Sequence, residues 1–144
     1  LESLFNQEAE LSEISSIANT ICKFLNQYPI LLLKGELGTG KTTLTQQILK
    51  SLEYSDAVNS PTFNIVNEYK INVDKTVFHF DLYRIKNERE LDELGFIEYI
   101  DSGNICIIEW PEIAMNYFDT EYLELQIHHL NNKRHYELNL INHS

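Results

Sequence analysis

The sequence predicts an α/β protein: a mixed β-sheet flanked by helices, with a C-terminal β-hairpin. Three observations predict it. An apolar run, Ile30-Leu31-Leu32-Leu33, stops at a glycine-rich turn and is followed by a helix-prone segment, as for a strand covered on both faces. Segments of helical and of alternating periodicity then follow one another along the chain. Near the end, two alternating stretches flank Asn131-Asn132, which is a hairpin pattern.

The elements follow in order. Leu11, Ile14, Ile17, Ala18, Ile21 and Leu25 recur at helical spacing and predict a first helix over residues 6–26, ended by Asn26-Gln27-Tyr28-Pro29. Residues 30–34 are a short buried strand, and a helix runs from 41 to about 52. A polar connection spans 53–60. Phe63, Ile65, Tyr69 and Ile71 then alternate with Asn64, Val66, Glu68 and Lys70, which predicts a strand. A turn over 72–75 leads to a strand over 76–81, so the pair is a candidate hairpin. Residues 88–100 read as a helix with Leu91, Leu94, Ile97 and Ile100 inward. Residues 104–108 form a core strand that ends at Glu109-Trp110-Pro111. Leu123, Leu125 and Ile127, then Tyr136, Leu138 and Leu140, supply the terminal hairpin. No repeat, linker or low-complexity segment interrupts the chain, so residues 1–144 are expected to form one domain.

Composition narrows the function classes. An apolar content of 43% suffices for a sizeable core. No run approaches the ~18 apolar residues of a membrane span, and no secretory signal is visible at the N-terminus. The two cysteines, Cys22 and Cys106, are spaced for neither zinc nor a redox pair and are expected to be reduced packing thiols. These features point to the cytosol. The net charge of −11, from 22 acidic and 11 basic residues, repels phosphate backbones. It argues against tight independent nucleic-acid binding and leaves any link to RNA to a partner protein.

The chemistry begins at Gly35-Glu36-Leu37-Gly38-Thr39-Gly40-Lys41-Thr42-Thr43, which reads G-x-x-x-x-G-K-T between a strand and a helix. This is the pattern of a phosphate-binding loop, the alternative being a structural glycine-rich turn beside an incidental lysine, so the expected sheet is P-loop NTPase-like. Gly38 and Gly40 lack a Cβ, so the backbone can adopt unusual dihedrals and approach an anion closely. Successive N–H groups then form an anion nest. The following helix presents its positive end to the same phosphates. Lys41 adds a cation for the β- and γ-phosphates, and the Thr42 hydroxyl suits Mg²⁺, which prefers oxygen ligands.

Hydrolysis also requires a held metal and an aimed water. In open α/β sheets, ligands sit beyond the C-terminal strand ends. Two acids stand there. Asp81 follows Val77-Phe78-His79-Phe80, and Glu109 follows Ile105-Cys106-Ile107-Ile108, each as in a Walker B element. Local chemistry alone leaves open which of them orients the attacking water. Thr62, in Ser60-Pro61-Thr62, fits either a switch residue sensing the γ-phosphate or a turn entering a strand. Trp110 fits either a ring beside the site or a partly buried core aromatic. His128 and His129 are adjacent on a strand and face opposite sides, so they do not grip one ion together. Lys133 and Arg134 are either solvated or in contact with nucleotide or a partner.

Gly-Glu-Leu-Gly-Thr-Gly-Lys-Thr-Thr (35–43), Ser-Pro-Thr-Phe (60–63), Glu-Tyr (68–69), His-Phe-Asp-Leu-Tyr-Arg (79–84), Glu-Leu-Asp-Glu-Leu-Gly (90–95) and Ile-Glu-Trp-Pro-Glu (108–112) together resemble the TsaE (YjeE) family. Its members are small bacterial P-loop ATPases of tRNA threonylcarbamoyladenosine synthesis. The resemblance spans nearly the whole chain in order. It implies a cytoplasmic protein that binds ATP with Mg²⁺ and works with TsaD and TsaB. Those partners modify adenosine 37 of tRNAs reading codons that begin with A. It implies contact with tRNA only through that complex, no membrane association, and an ATP cycle that lets the transferase turn over without performing the transfer. It implies that Glu36, Leu37, Gly38, Thr39, Gly40, Lys41, Thr42 and Thr43 hold the nucleotide, with Trp110 beside them. Thr42 and Glu109 are then the Mg²⁺ side, and Lys41, Asp81, Glu109 and Thr62 the catalytic set. The family threonine near the adenine has no clear counterpart among Ser12, Ser15 and Ser16.

Other classes lack their parts. A GTPase needs Asp-x-x-Gly after the switch threonine and Asn-Lys-x-Asp for guanine, and neither occurs. A small-molecule kinase needs a lid and an arginine-rich acceptor insert, and this chain has only three arginines, Arg84, Arg89 and Arg134. The remaining alternative is a nucleotide-gated binding module with little intrinsic hydrolysis.

Overall fold

The computed structural model describes residues 1–36, 40–54 and 65–142. The expected strand at 30–34 is the central element. β2 (Ile30–Lys34) is buried along the apolar part of its length because both of its faces are covered. It pairs in parallel with β5 (Ile105–Glu109) on one side and β6 (Tyr122–Leu130) on the other. β4 (Lys75–Asp81) pairs in parallel with β5, and β3 (Val66–Asn72) closes that edge as an antiparallel hairpin partner of β4. On the far side β7 (Lys133–Ile141) returns antiparallel to β6, with Asn131 in the left-handed region (φ 44°) at the tight turn. β1 (Glu2–Ala9) forms the outer edge, giving a seven-stranded mixed sheet in the order β1-β7-β6-β2-β5-β4-β3.

Strand alternation sorts the core into two layers. Leu31, Leu33, Val77, Ile107, Leu123 and Leu125 face α1 (Ile14–Leu25) and α2 (Lys41–Ser51). Leu32, Phe80, Cys106 and Ile108 face α3 (Glu88–Leu94), α4 (Phe96–Ile100) and a 3-10 helix over Pro111–Tyr117. The mixed sheet flanked by helices and the C-terminal hairpin are therefore as the sequence predicts.

Two elements differ from expectation. The first helix does not begin at residue 6. Residues 6–9 lie in β1, where Asn6, Gln7, Glu8 and Ala9 pair with Glu137, Tyr136, His135 and Arg134. The open edge of β7 supplies backbone partners that local periodicity cannot reveal. Leu11 sits in a 3-10 turn and is 71% exposed, and the helical stripe starts at Ile14. The helix expected over 88–100 is two helices, broken where Gly95 takes φ 75°. The break resets the helical phase, so Phe96 is buried while Ile97 is 43% exposed. The strand expected from Phe63 is described from Val66 onward, and residues 63 and 64 lie outside the described residues.

Candidate functional site

The glycine-rich loop leaves β2 at Gly35 and enters α2 at Lys41. Gly40 takes φ 96° with open space where a Cβ would stand. That backbone conformation is one that glycine adopts without strain. Leu37, Gly38 and Thr39 lie outside the described residues, as do Ser60, Pro61 and Thr62.

Lys41 is the first residue of α2 and is only 6% exposed. Its Nζ donates to the Gly35 carbonyl at 2.9 Å and lies 3.9 Å from the centre of the Trp110 ring. Burial pulls its pKa below the ordinary lysine value, and the carboxylates of Glu109, Asp81 and Glu112 oppose that shift. Trp110 follows β5 with φ 55°, and Pro111 then starts the 3-10 helix. The left-handed backbone turns the ring over the loop lysine, and Tyr83 packs on it with ring centres 5.0 Å apart. The Trp110 ring is half-buried and also lies against the loop lysine.

The parallel register of β4 and β5 sets Asp81 directly opposite Glu109. Asp81 Oδ1 accepts from the Tyr83 backbone N–H at 3.0 Å, which orders the turn after β4. Glu109 is 4% exposed, and its Oε2 meets His79 Nε2 at 2.6 Å. Sequence reasoning did not single out His79 for a role. The available signal was a polar residue inside the apolar run 77–80, but its partner is 30 residues away across the sheet. Thr42 and Thr43 lie in the first turn of α2. The Thr42 hydroxyl and the two carboxylates are hard oxygen donors, a set that suits Mg²⁺ and not a soft metal.

A cavity of about 420 Å³ opens beside the α2 N-terminus, lined by Leu11, Ile14, Gly40, Thr43, Lys133 and Arg134 among others. Lys133 and Arg134 thus sit at the loop's flank, a position the sequence left open. A second cavity of about 470 Å³ is lined by Glu36, Trp110, Glu112, His128 and His129 with Gly35 and Ile127. Both of these histidines are exposed, and among the described residues no cluster of three or more His, Cys, Asp or Glu is arranged to hold a metal alone. Cys106 is buried, and burial pushes its thiol pKa up to about 12; Cys22 rises to about 11 for the same reason. Among the described residues no helix is long and apolar enough to cross a membrane.

A family profile described as "Threonylcarbamoyl adenosine biosynthesis protein TsaE" matches residues 8–136. The chain is 37% identical over 109 residues to the "tRNA threonylcarbamoyladenosine biosynthesis protein TsaE" of Haemophilus influenzae, covering 76% of this chain and 68% of that protein. It is 36% identical over 115 residues to the protein of the same name in Bacillus subtilis, covering 80% and 71%. The crystal structure of Bacillus subtilis YdiB superposes with a TM-score of 0.73 at 27% identity, over 93% of this chain and 83% of that one. A glycine-rich loop, paired strand-end acids and a matching profile along most of the sequence agree, and this chain belongs to the TsaE family of tRNA threonylcarbamoyladenosine biosynthesis.

Proposed function

We propose that this protein binds ATP with Mg²⁺ and hydrolyses it slowly alone. On this reading the cycle supports the TsaB–TsaD complex in threonylcarbamoylation of adenosine 37 of tRNAs reading codons that begin with A. The observation that carries the reading is the register pair Asp81 and Glu109. It sets one carboxylate at the end of β5, which adjoins β2, the strand from which the glycine-rich loop departs, and the other at the end of β4, one strand further out. Ligands of open α/β sheets lie at such ends.

Each group has a task in this reading. Lys41 exchanges its Gly35 carbonyl for the β- and γ-phosphate oxygens. The N-terminus of α2 faces the same anion. Thr42 and Glu109 hold Mg²⁺, which when bound neutralises charge on the phosphate oxygens. Asp81 stands beside Glu109 as the second essential acid, within reach of the water side of the site. The cavity at Leu11, Ile14, Thr43, Lys133 and Arg134 takes the nucleoside, its apolar floor suiting a base and its cations the phosphate chain. Trp110 shields the lysine from solvent. Thr62, in the switch-like segment, senses the γ-phosphate and passes that signal to the docking surface. The net charge of −11 supports contact with tRNA through the complex and not directly.

Single-turnover hydrolysis with and without the partner complex tests this. The wild type is expected to accelerate when the partners are added, and Lys41→Ala is expected to lose both ATP binding and turnover. Near-normal turnover by Lys41→Ala removes the site. Equal wild-type rates with and without partners remove the docking role and favour a simple nucleotide-gated module.

A further inference from the structure

His79 is fully buried on the β4 face that meets α1 and α2, among Val77, Ile105 and Ile107. Its registered neighbour on β5 is the apolar Ile107, and on β3 it is Asn67. A leucine there would satisfy packing, and a buried ion-pair-like contact is weak support for stability compared with well-packed apolar residues. Its ring nevertheless reaches Glu109 Oε2 at 2.6 Å, while Nδ1 has no hydrogen-bond partner among the described residues. A buried, half-satisfied imidazole costs free energy. The contact to Glu109 is the feature it serves. For that contact to be a hydrogen bond, Nε2 carries the proton and donates it.

We propose that His79 is a positioning residue that fixes one oxygen of Glu109 from beneath and so presents the other oxygen to the cation held at the loop. The inference rests on the reading of Glu109 as a metal-side carboxylate. Among the described residues, His79 is the one hydrogen-bond partner of the Glu109 side chain. Without it, no hydrogen bond among the described residues fixes which way the carboxylate faces. Outer-shell partners of metal-binding carboxylates act in this way and are worth about ten-fold or more in metal affinity.

The test measures binding of a non-hydrolysable ATP analogue by calorimetry, in a Mg²⁺ titration and in EDTA. His79→Leu keeps bulk and loses the donor. His79→Gln keeps an N–H near the Nε2 position. His79→Leu is expected to raise the half-saturating Mg²⁺ concentration about ten-fold and to leave the affinity in EDTA unchanged. His79→Gln is expected to restore most of the loss. In a Glu109→Gln background, His79→Leu is expected to add nothing. Four results overturn the proposal. If Glu109→Gln alone leaves the Mg²⁺ dependence unchanged, the assignment of Glu109 falls and the positioning role with it. If Glu109→Gln shifts it but His79→Leu does not, only the positioning role falls. If affinity in EDTA and in Mg²⁺ drops together, His79 is a packing residue. If His79→Leu does not fold, His79→Ala is measured in its place, and wild-type Mg²⁺ dependence in that folded, donor-less variant means that the hydrogen bond has no bearing on the cation.

Discussion

The Lys41 ammonium is held between the Gly35 carbonyl and the face of Trp110. A cation 3.9 Å from an indole centre is attracted by the ring quadrupole, by about 1 kcal/mol or more where water is excluded. Phosphate oxygens compete for the same ammonium far more strongly, because the interaction is charge-assisted. Trp110 is the only tryptophan, so its emission reports on this exchange. ATP is expected to change the intrinsic fluorescence of the wild type and to leave that of Lys41→Ala unchanged, as a fluorescence titration would show. Identical responses from both proteins would mean that the ring does not sense the lysine. The lysine, the glycines and the two acids were legible in the sequence because each is defined by local spacing. The position of Trp110 over Lys41 was not, because it depends on a left-handed residue after β5 meeting the first turn of α2.

Each helix is set by its ends as much as by its stripe. α3 begins at Asn87, whose side chain accepts from the Glu90 N–H at 3.2 Å while the Glu90 carboxylate accepts from the Asn87 N–H at 3.3 Å. That reciprocal pair satisfies donors that a helix start leaves open. Asn87→Ala is expected to lower stability by about 1 kcal/mol, measured as a shift of the urea midpoint at constant slope. The 3-10 helix after Trp110 is tied to α3, since Asn116 Nδ2 donates to Glu88 Oε1 at 2.7 Å and the Tyr117 hydroxyl donates to Asp92. The end of β5 is thereby braced by an element beyond the site. The break at Gly95 was misread for a physical reason. A 3.6-residue stripe continues through a glycine on paper, whereas a left-handed residue rotates everything after it and turns Phe96 inward in place of Ile97.

At the scale of the molecule, the two apolar layers also determine how the thiols titrate. Cys106 is raised to about 12 and Cys22 to about 11, against an ordinary 9.0, because burial penalises the thiolate. A folded pKa above the unfolded one contributes stability that is complete below the unfolded pKa. That contribution is lost as pH rises through the folded pKa. Stability is therefore expected to fall between pH 9 and about 11 to 12. Lys41 shifts in the opposite direction and contributes with the opposite sign. The comparison that isolates the thiol is urea unfolding at pH 8 and at alkaline pH for wild type and Cys106→Ala, with the smaller alkaline loss expected in the variant. By itself the sequence determined the loop, the acids that end β4 and β5, the order of most elements and both terminal-hairpin strands. Those are written in residue type and short-range period, which chemistry reads without knowing the partner. Only the tertiary structure decided that residues 6–9 pair with β7, that Asp81 lies opposite Glu109, and that the His79 ring meets that glutamate. Such facts depend on which backbone edges and side chains distant segments bring together, and no local pattern encodes the register of a parallel pair whose strands are separated by two helices.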